Sequence, residues 1–317
     1  MKNDFEPIKL DTIKTSSLKE RRSKVTTKDF GKAYSRCGSF REFLEGFPNI
    51  LAAKDLKEVV SEIIAAYKTN KLIIFGLGAH VIKVGLSPII INLMERGIIS
   101  SIALNGAGII HDSEIAMVGQ TSEDVGNGLK EGCFGMAEET ARVINEAISE
   151  NVEKGCGIGE SVGRRLLELD FRHNNLSILA SGARLNIPVT VHIAIGTDIV
   201  HMHPSCDGAA IGKGTHFDFR LFSSIISRLE KGVYLNIGSS VILPEVFLKA
   251  LTLVRNLDFD VKDFTAVNMD FIQHYRPMTN VVNRPTSKGG KGYSIIGHHE
   301  IMFPLLAAAI LEGLETA

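Results

Sequence analysis

The sequence has no tryptophan, and aromatic residues make up only 7% of its 317 residues. Its core must therefore be filled mainly by isoleucine, leucine, valine and alanine, and a hydrophobic content of 44% is enough for a sizeable one. An excess of either charge is also missing, since 35 Lys and Arg stand against 36 Asp and Glu. This balance excludes the broad basic surface typical of nucleic-acid-binding proteins, so we expect no nucleic-acid partner.

Cysteine is scarce as well, and the four cysteines form no CxxC pair. Their wide spacing argues against a structural zinc module and against a disulfide framework, and reduced thiols are typical of the cytosol. The longest apolar runs contain Lys, Gly and Pro and are too short to cross a membrane. Because the N-terminal segment also lacks the apolar stretch of a signal peptide, we expect a soluble cytoplasmic protein with no membrane partner.

Short apolar runs alternate with segments of helical periodicity along most of the chain. KLIIFGLG (Lys71–Gly78) and IISSIALNGAG (Ile98–Gly108) predict buried strands that end in glycine turns. Strands and helices in alternation predict an α/β fold, with a mostly parallel sheet covered by helices on both faces. We expect one such domain over residues 40–317, preceded by a charged N-terminal arm over residues 1–39 that is ordered by packing on another subunit.

Two strand ends carry glycine turns that predict a binding site. Asn105-Gly106-Ala107-Gly108 follows one strand, and Gly238-Ser239-Ser240 follows another. Parallel sheets bind ligands outside the carboxyl ends of their strands, and glycines let the backbone approach a phosphate closely. The alternative is structural, because such turns also connect a strand to a helix, and serine is a preferred helix cap.

A third strand end, after NIPVTVHIAIG, leads into a stretch rich in histidine. His201 and His203, with Asp198 or Asp207, match the ligand types of a zinc or iron site, yet such histidines are more often solvated or bonded to backbone. We therefore assign no metal ligand. Because parallel sheets bind ligands at their strand ends, this stretch is still a place to search, and histidines can exchange protons near neutral pH.

The second half of this stretch, AAIGKGTHFD, looks like a phosphate-binding loop but lacks GxxxxGK[ST]. Thr215 and Asp218 fit a helix-capping pattern. This pattern predicts a loop that leads into a helix from Phe219 to Gly232.

Four short motifs in a fixed order resemble the deoxyhypusine synthase family. They are LNGAGIIHD, the NIPV strand with its polar loop, GVYLNIGSSV, and GHHEIMFPLLAAAIL near the end. The similarity runs from about Lys71 to Leu311, and the chain looks like a divergent, bacterial-type relative. It implies a Rossmann-like fold, a homotetramer and NAD bound at the subunit interface. In the family, NAD oxidises spermidine, and the aminobutyl group passes through an imine on an enzyme lysine to a protein lysine.

The resemblance together with the strand ends defines the expected site. Residues expected to contact NAD are Asn105, Gly106, Ala107, Gly108, Asp198, Gly238, Ser239, Ser240, Asp270 and His298. Residues expected to act in catalysis are Lys288, His201, His203 and His111. Lys291 is the other lysine near the family's catalytic position, and the sequence leaves open which of the two matches, or whether either does.

Several family residues are replaced in this chain. His111 stands where the family has a glutamate, Pro244 stands near the position of a histidine, and the tryptophan beside the catalytic lysine is absent. We therefore expect an NAD-binding enzyme that acts on an amine or polyamine-like substrate but does not form deoxyhypusine. The alternatives are a hydrolase or lyase with a histidine-rich cleft and no NAD, with or without a metal, and a non-catalytic oligomer that binds a nucleotide.

Overall fold

The structure is a computed structural model that describes residues 5–315. Its centre is a six-stranded sheet in which every neighbouring pair of strands is parallel. The strands are β1 (Ile73–Leu77), β2 (Ser101–Asn105), β3 (Val189–His192), β4 (Val233–Ile237), β5 (Thr265–Asp270) and β6 (Lys291–Ile296). Their order in the sheet is β3-β2-β1-β4-β5-β6. The predicted α/β, Rossmann-like fold is confirmed.

The helices surround this sheet. The α-helices are α1 (Phe40–Glu45), α2 (Leu51–Lys68), α3 (Ala79–Lys83), α4 (Ser87–Glu95), α5 (Gly106–Val118), α6 (Val125–Glu131), α7 (Glu138–Asn151), α8 (Ile158–Glu168), α9 (Ile178–Leu185), α10 (Gly208–Ile226), α11 (Ile242–Asn256), α12 (Tyr275–Pro277), α13 (Arg284–Thr286) and α14 (His299–Leu314). A π-helical turn, Met278–Asn283, joins α12 to α13. Within the described residues, no helix is both long and apolar enough to span a bilayer.

Both faces of the sheet are covered because successive residues of a strand point to opposite sides. On one face Ile74 and Tyr234 belong to a cluster with α10 and α11, in which Tyr234 stacks on Phe247 at 3.9 Å between ring centroids. On the other face Phe75 meets Phe303 of α14 edge to face. Burial on both faces explains why β1 and β4 are rich in apolar residues on both sides.

The free edge of β3 is closed by side chains of α10. Asp218 Oδ2 accepts hydrogen bonds from the backbone N–H of Val191 and of Gly159. Thr215 Oγ1 donates to the carbonyl of Val191 and accepts from the N–H of Ile193. Burial raises the pKa of Asp218 to about 7, although its backbone hydrogen bonds act in the opposite direction. These two side chains therefore form hydrogen bonds with the outward backbone groups of β3, as a neighbouring strand would.

The helix that carries them begins earlier than its sequence predicts. α10 runs from Gly208 to Ile226, and Asp207 caps it by accepting from the N–H groups of Ala209 and Ala210. The prediction of a loop up to Phe219 was wrong. Three glycines within the helix suggested a loop, but contacts with β3 and the core outweigh their weak helix propensity.

The connection between β2 and β3 contains α5 to α9 and is tied together by a buried carboxylate. Asp112 of α5 accepts hydrogen bonds from the Ser177 hydroxyl and from the N–H groups of Ile178 and Leu179 at the start of α9. These donors favour the charged form, but burial dominates and raises the pKa of Asp112 to about 6. The carboxylate therefore joins α9 to the helix that leaves β2.

Backbone contacts divide the chain into two compact units, Met1–Leu51 and Ala52–Ala317. The first unit contains a 3₁₀ turn, Thr27–Asp29, and the short helix α1, which Ser39 caps. Phe43 of α1 makes ring contacts with Tyr34, Phe40 and Phe47. The second unit holds the whole sheet and therefore every strand end discussed below.

Candidate functional site at the carboxyl edge of the sheet

All six strands end at the same edge of the sheet because all six run in parallel. Asn105–Gly108 follows β2, Gly238–Ser240 follows β4, Asp270 ends β5 and His298 comes two residues after β6. The strand order changes direction between β1 and β4, and ligands of open parallel sheets bind in the crevice at such a point. The structure therefore brings these predicted segments to one edge.

Small and polar residues cross the sheet next to this edge, on the face covered by α10 and α11. One row consists, in register, of Thr190, Ala103, Gly76, Asn236, Asn268 and Ser294. Asn236 donates to Asn268 Oδ1 at 2.7 Å, but its own Oδ1 is buried without a hydrogen-bond partner. Buried polar groups are rarely left unpaired, so this orphan oxygen marks the edge as more than a packing surface.

His192 lies one step further toward the edge, in register with Asn105. Its Nε2 lies 3.0 Å from the hydroxyl of Thr190, and its ring packs edge to face on Phe222. Burial lowers the pKa of His192 to about 3, so the ring is neutral near pH 7. This histidine stays a neutral, partly satisfied group within the sheet.

The turns after β1 and β4 meet backbone to backbone at the switch point. A side chain added at Gly78 would overlap the carbonyl group of Gly238. Gly238 has φ +68°, and a Cβ added there would lie 3.1 Å from Cε1 of His299. Both positions therefore require glycine, Gly78 for close packing of the two turns and Gly238 for its positive φ. The sequence prediction missed Gly78, although Gly76-Leu77-Gly78 after an apolar run was a usable signal.

The serines beside Gly238 differ in what they can offer a ligand. Ser239 is buried, and its hydroxyl accepts a hydrogen bond from the N–H of Leu243 in the first turn of α11. It therefore has the capping role that the sequence left open. Ser240 is half-buried and remains accessible at the edge.

A carboxylate of the chain itself covers the start of α5. A side chain added at Gly106 would overlap the carboxylate of Asp198, while Asn105 caps the helix by accepting from the N–H of Gly108 at 3.0 Å. Ala107 lies in the first turn between them. Burial raises the pKa of Asp198, and the nearby His201 acts in the opposite direction. A negative group thus occupies the helix N-terminus that the sequence predicted for a phosphate.

His201 is held by the loop that carries Asp198. Its Nδ1 accepts hydrogen bonds from the N–H groups of Gly196 at 3.1 Å and Asp198 at 3.2 Å. In the neutral ring the proton must then sit on Nε2, which is buried and has no partner. His203 differs, because the hydroxyl and the N–H of Ser205 both contact its Nδ1. Both histidines use Nδ1 within the loop, and His201 differs in that its unpartnered Nε2 is buried.

His111 points into a separate network on α5. Its Nδ1 lies 2.6 Å from the hydroxyl of Thr121, which donates to Glu114. Burial, and then the positive charge of Lys83, lower the pKa of His111 to about 4. Thr121 and Glu114 line a cavity of about 800 Å³ beside α5, α7 and α8. No contact joins His111 to the Asp198–His201 pair among the described residues.

A cluster of histidine and phenylalanine rings lies at the carboxyl ends of β1, β5 and β6. The ring of His80 is 5.6 Å from that of His299 and 6.0 Å from that of Phe271, and Phe271 lies parallel to His298 at 6.2 Å. His299 is buried, its Nε2 donates to the carbonyl of Met269, and its Nδ1 has no partner. Burial lowers the pKa of His299. The sequence prediction included His298 but missed His80, which follows the glycine turn of β1.

Lys288 and Lys291 lie near the amino end of β6, on the side of the sheet opposite the carboxyl edge. Lys291 begins β6 and Lys288 precedes it, whereas His298 follows the far end of the strand. Six residues of strand span about 20 Å. Lys291 is also paired with Glu62 at 2.6 Å. Within one chain the structure therefore does not bring Lys288 or Lys291 to the glycine turns.

Residues 5–315 contain no ready-made metal site. No group of three or more His, Cys, Asp or Glu side chains is placed to hold an ion there. His201 and His203 use their Nδ1 atoms locally, as described above.

Comparison with known proteins places the chain by its fold. No protein-family model and no curated protein matches the sequence. A conserved candidate LOR/SDH protein from Methanococcus maripaludis S2 aligns over 84% of this chain and 71% of its own, with 18% identity and a TM-score of 0.51. AgrE, crystallised with ornithine and NAD+, aligns over 83% of this chain but only 33% of its own, with 14% identity and a TM-score of 0.52.

A candidate deoxyhypusine synthase from Entamoeba histolytica covers 89% of this chain and 96% of its own, with 13% identity and a TM-score of 0.50. Identities this low show the fold alone. At that level, the chain shares its fold with these three proteins, one of which has been crystallised with NAD+.

Proposed function

We propose that this protein is an NAD-dependent enzyme that oxidises an amine or polyamine-like substrate at the carboxyl edge of its sheet. The observation that carries the proposal is the row of small and polar residues that crosses the sheet two residues before the paired backbone turns of Gly78 and Gly238. A buried parallel sheet normally fills such positions with apolar side chains. Polar groups at a switch point instead favour a polar ligand.

The residues present fit a dinucleotide above the switch point. Gly238 is half-buried and has no side chain, the buried Gly78 lets the two turns pack closely, and Ser240 offers a hydroxyl next to them. Because Asp198 already covers the start of α5, we assign the pyrophosphate to the β1 and β4 turns and not to the Asn105–Gly108 turn. The exposed rings of Phe271 and His298 then flank one end of the cofactor.

Asp198 and His201 supply the groups that an amine requires. NAD, when bound, would supply the acceptor for a hydride from the carbon next to the neutral amine nitrogen, so that the substrate becomes a protonated imine. Asp198 attracts the ammonium group by its charge, and its raised pKa suits it to accept the proton that the nitrogen loses. The Nε2 of His201 is buried and has no partner in the chain, so it is the group we assign to donate a hydrogen bond to the substrate once the surrounding loop opens. Lys288 is left out of this proposal because it lies at the other edge of its own chain.

We expect the chain to bind NADH. We also expect one negative charge added at position 240 to weaken this binding. Titration should raise the fluorescence of NADH, since bound nicotinamide is shielded from water. Ser240→Glu should weaken binding at least roughly tenfold, because a carboxylate next to a phosphate is repelled. Ser224→Glu, on an exposed face of α10, is the matched control and should bind like the parent protein. Equal affinity for NADH in the parent protein and both variants would contradict the proposed pyrophosphate site.

We also expect no deoxyhypusine synthase activity. Pro244 stands near a family histidine, the family tryptophan is absent, and neither lysine lies at the carboxyl edge of its chain. Incubation with NAD, labelled spermidine and the translation initiation factor should leave the factor unlabelled. Labelled deoxyhypusine in the factor would contradict the prediction.

The two alternatives give different results in the same experiments. A hydrolase or lyase would use the Asp198–His201 pair and show no NADH binding. A non-catalytic nucleotide-binding oligomer would bind NADH, lose it in the Ser240→Glu variant, and reduce no NAD with any amine.

A further inference from the structure

The two outer strands of the sheet, β3 and β6, differ in how their free sides are covered. The outer edge of β3 is closed by Asp218 and Thr215, as described above. The outer edge of β6 has no such cover in the part of the chain that the structure describes. β6 is also the strand with the most exposure, since Gly292 and Ile296 are exposed whereas every residue of β5 is buried.

Alternate residues of β6 face away from β5. The N–H of Lys291 bonds to Phe264 and that of Gly297 to Asp270, so the odd-numbered residues face the sheet. Gly292, Ser294 and Ile296 therefore direct their N–H and C=O groups outward. Among residues 5–315, no hydrogen bond reaches the backbone groups of these three residues.

Natural edge strands are usually blocked against pairing by charges, prolines or bulges. The outward-facing positions of β6 carry none of these. Next to the strand end, several apolar side chains are exposed to solvent: Phe271, Ile272, Tyr275, Ile296 and Ile301. An unblocked edge beside exposed apolar side chains fits another strand better than it fits water.

We propose that β6 pairs antiparallel with β6 of a second copy of this chain, so that two sheets continue into one. With Ser294 at the two-fold axis, Gly292 of each copy faces Ile296 of the other. About six inter-strand hydrogen bonds then satisfy the outward groups of both strands. A two-fold contact of this kind is closed, because the same patch serves on both subunits.

Charge distribution along β6 favours this occupant. Lys288 and Lys291 lie at the start of the strand, and Glu300 lies just beyond its end. Lys291 is already paired with Glu62, so the charge that counts is that of Lys288. Antiparallel pairing with Ser294 at the axis places Lys288 opposite Glu300 of the partner subunit, whereas parallel pairing would place the two copies of Lys288 together. It also brings Lys288 of the partner subunit toward the carboxyl edge that its own chain does not allow it to reach.

The test is the oligomeric state of two variants at Ser294, measured by analytical ultracentrifugation. Ser294→Pro removes the outward N–H at the centre of the interface, in a position where an edge strand tolerates proline. We expect dimer dissociation to become roughly a hundredfold easier or more. Ser294→Ala keeps the N–H and should dimerise like the parent protein.

Hydrogen exchange of the parent protein gives a second readout that does not depend on folding of the proline variant. The amides of Gly292 and Ile296 should exchange slowly at concentrations where the dimer forms and rapidly after dilution. A parent protein that stays monomeric, a proline variant that dimerises normally, or fast exchange at both concentrations would overturn the proposal. None of these measurements depends on NAD or on activity, so the proposed function can fail independently.

Discussion

Replacing Asp218 by alanine is expected to lower the free energy of unfolding by roughly 3–5 kcal/mol, because buried backbone donors lose their acceptor. The carboxylate accepts from Val191 on the free edge of β3 and from Gly159 in the first turn of α8. The side chain is buried, so water cannot replace it without opening the contact between α8, α10 and β3. Urea unfolding followed by circular dichroism measures the change.

Asp207→Ala is the matched control for this variant. Asp207 also accepts from two backbone N–H groups, those of Ala209 and Ala210, but it is exposed at the start of the same helix. Its loss should cost only about 1 kcal/mol, the usual value for a helix cap. Equal losses in the two variants would show that burial of Asp218 adds nothing.

The same carboxyl group predicts a pH dependence. Its pKa is raised from 3.8 to about 7 in the folded protein, so the folded state holds this proton more tightly than the unfolded chain does. The stability that the neutral form contributes is fully present below pH 3.8 and is lost as pH rises through about 7.

Asp218→Asn stays neutral at every pH and should remove this part of the slope between pH 4 and 7. The comparison uses the difference between the variant and the parent protein, because Asp112 contributes in the same direction and His192 in the opposite one. A constant difference in unfolding free energy across this range would contradict the assignment.

Replacing His201 by alanine is expected to lower kcat for amine oxidation by roughly 100- to 10,000-fold, the range for a positioned proton-transfer or hydrogen-bonding group. Affinity for NADH should not change, because the proposed cofactor contacts lie at Gly78 and Gly238. Reduction of NAD, followed by absorbance with a panel of diamines and polyamines, measures the turnover.

His203→Ala is the control, since His203 lies two residues away and its Nδ1 is engaged by Ser205. It should keep kcat within about threefold of the parent protein, as expected for a residue outside the chemistry. If His203→Ala lost as much activity as His201→Ala, the loop would matter as a whole and the unpartnered Nε2 of His201 would not be the reason.

The comparison of sequence and structure is clearest at the strands and at α10. Apolar runs that end in glycine identified the strands, because burial on both faces leaves a continuous hydrophobic pattern. The pattern failed for Gly208–Phe219, where local composition favours a loop. There the helix is held by tertiary contacts, Thr215 with Val191 above all, which no local window contains.

The candidate site divides in the same way. Glycine turns after strands predicted where Asn105–Gly108 and Gly238–Ser240 would lie, since parallel strands must end at one edge. Whether each turn can contact a ligand depends on residues that are distant in sequence. Asp198 covers Gly106 from 92 positions away along the chain, and Gly78 packs on Gly238.

The sequence by itself therefore determined the architecture, the edge at which the candidate site was predicted and the identity of most groups near that edge. These follow from periodicity and from strand direction, which are local properties. Only the tertiary structure decided that a carboxylate fills the α5 N-terminus, that the unpartnered Nε2 of His201 is buried, and that Lys288 lies at the far edge. Each of these depends on which distant segments pack together, and the free energy of that packing is shared over the whole core.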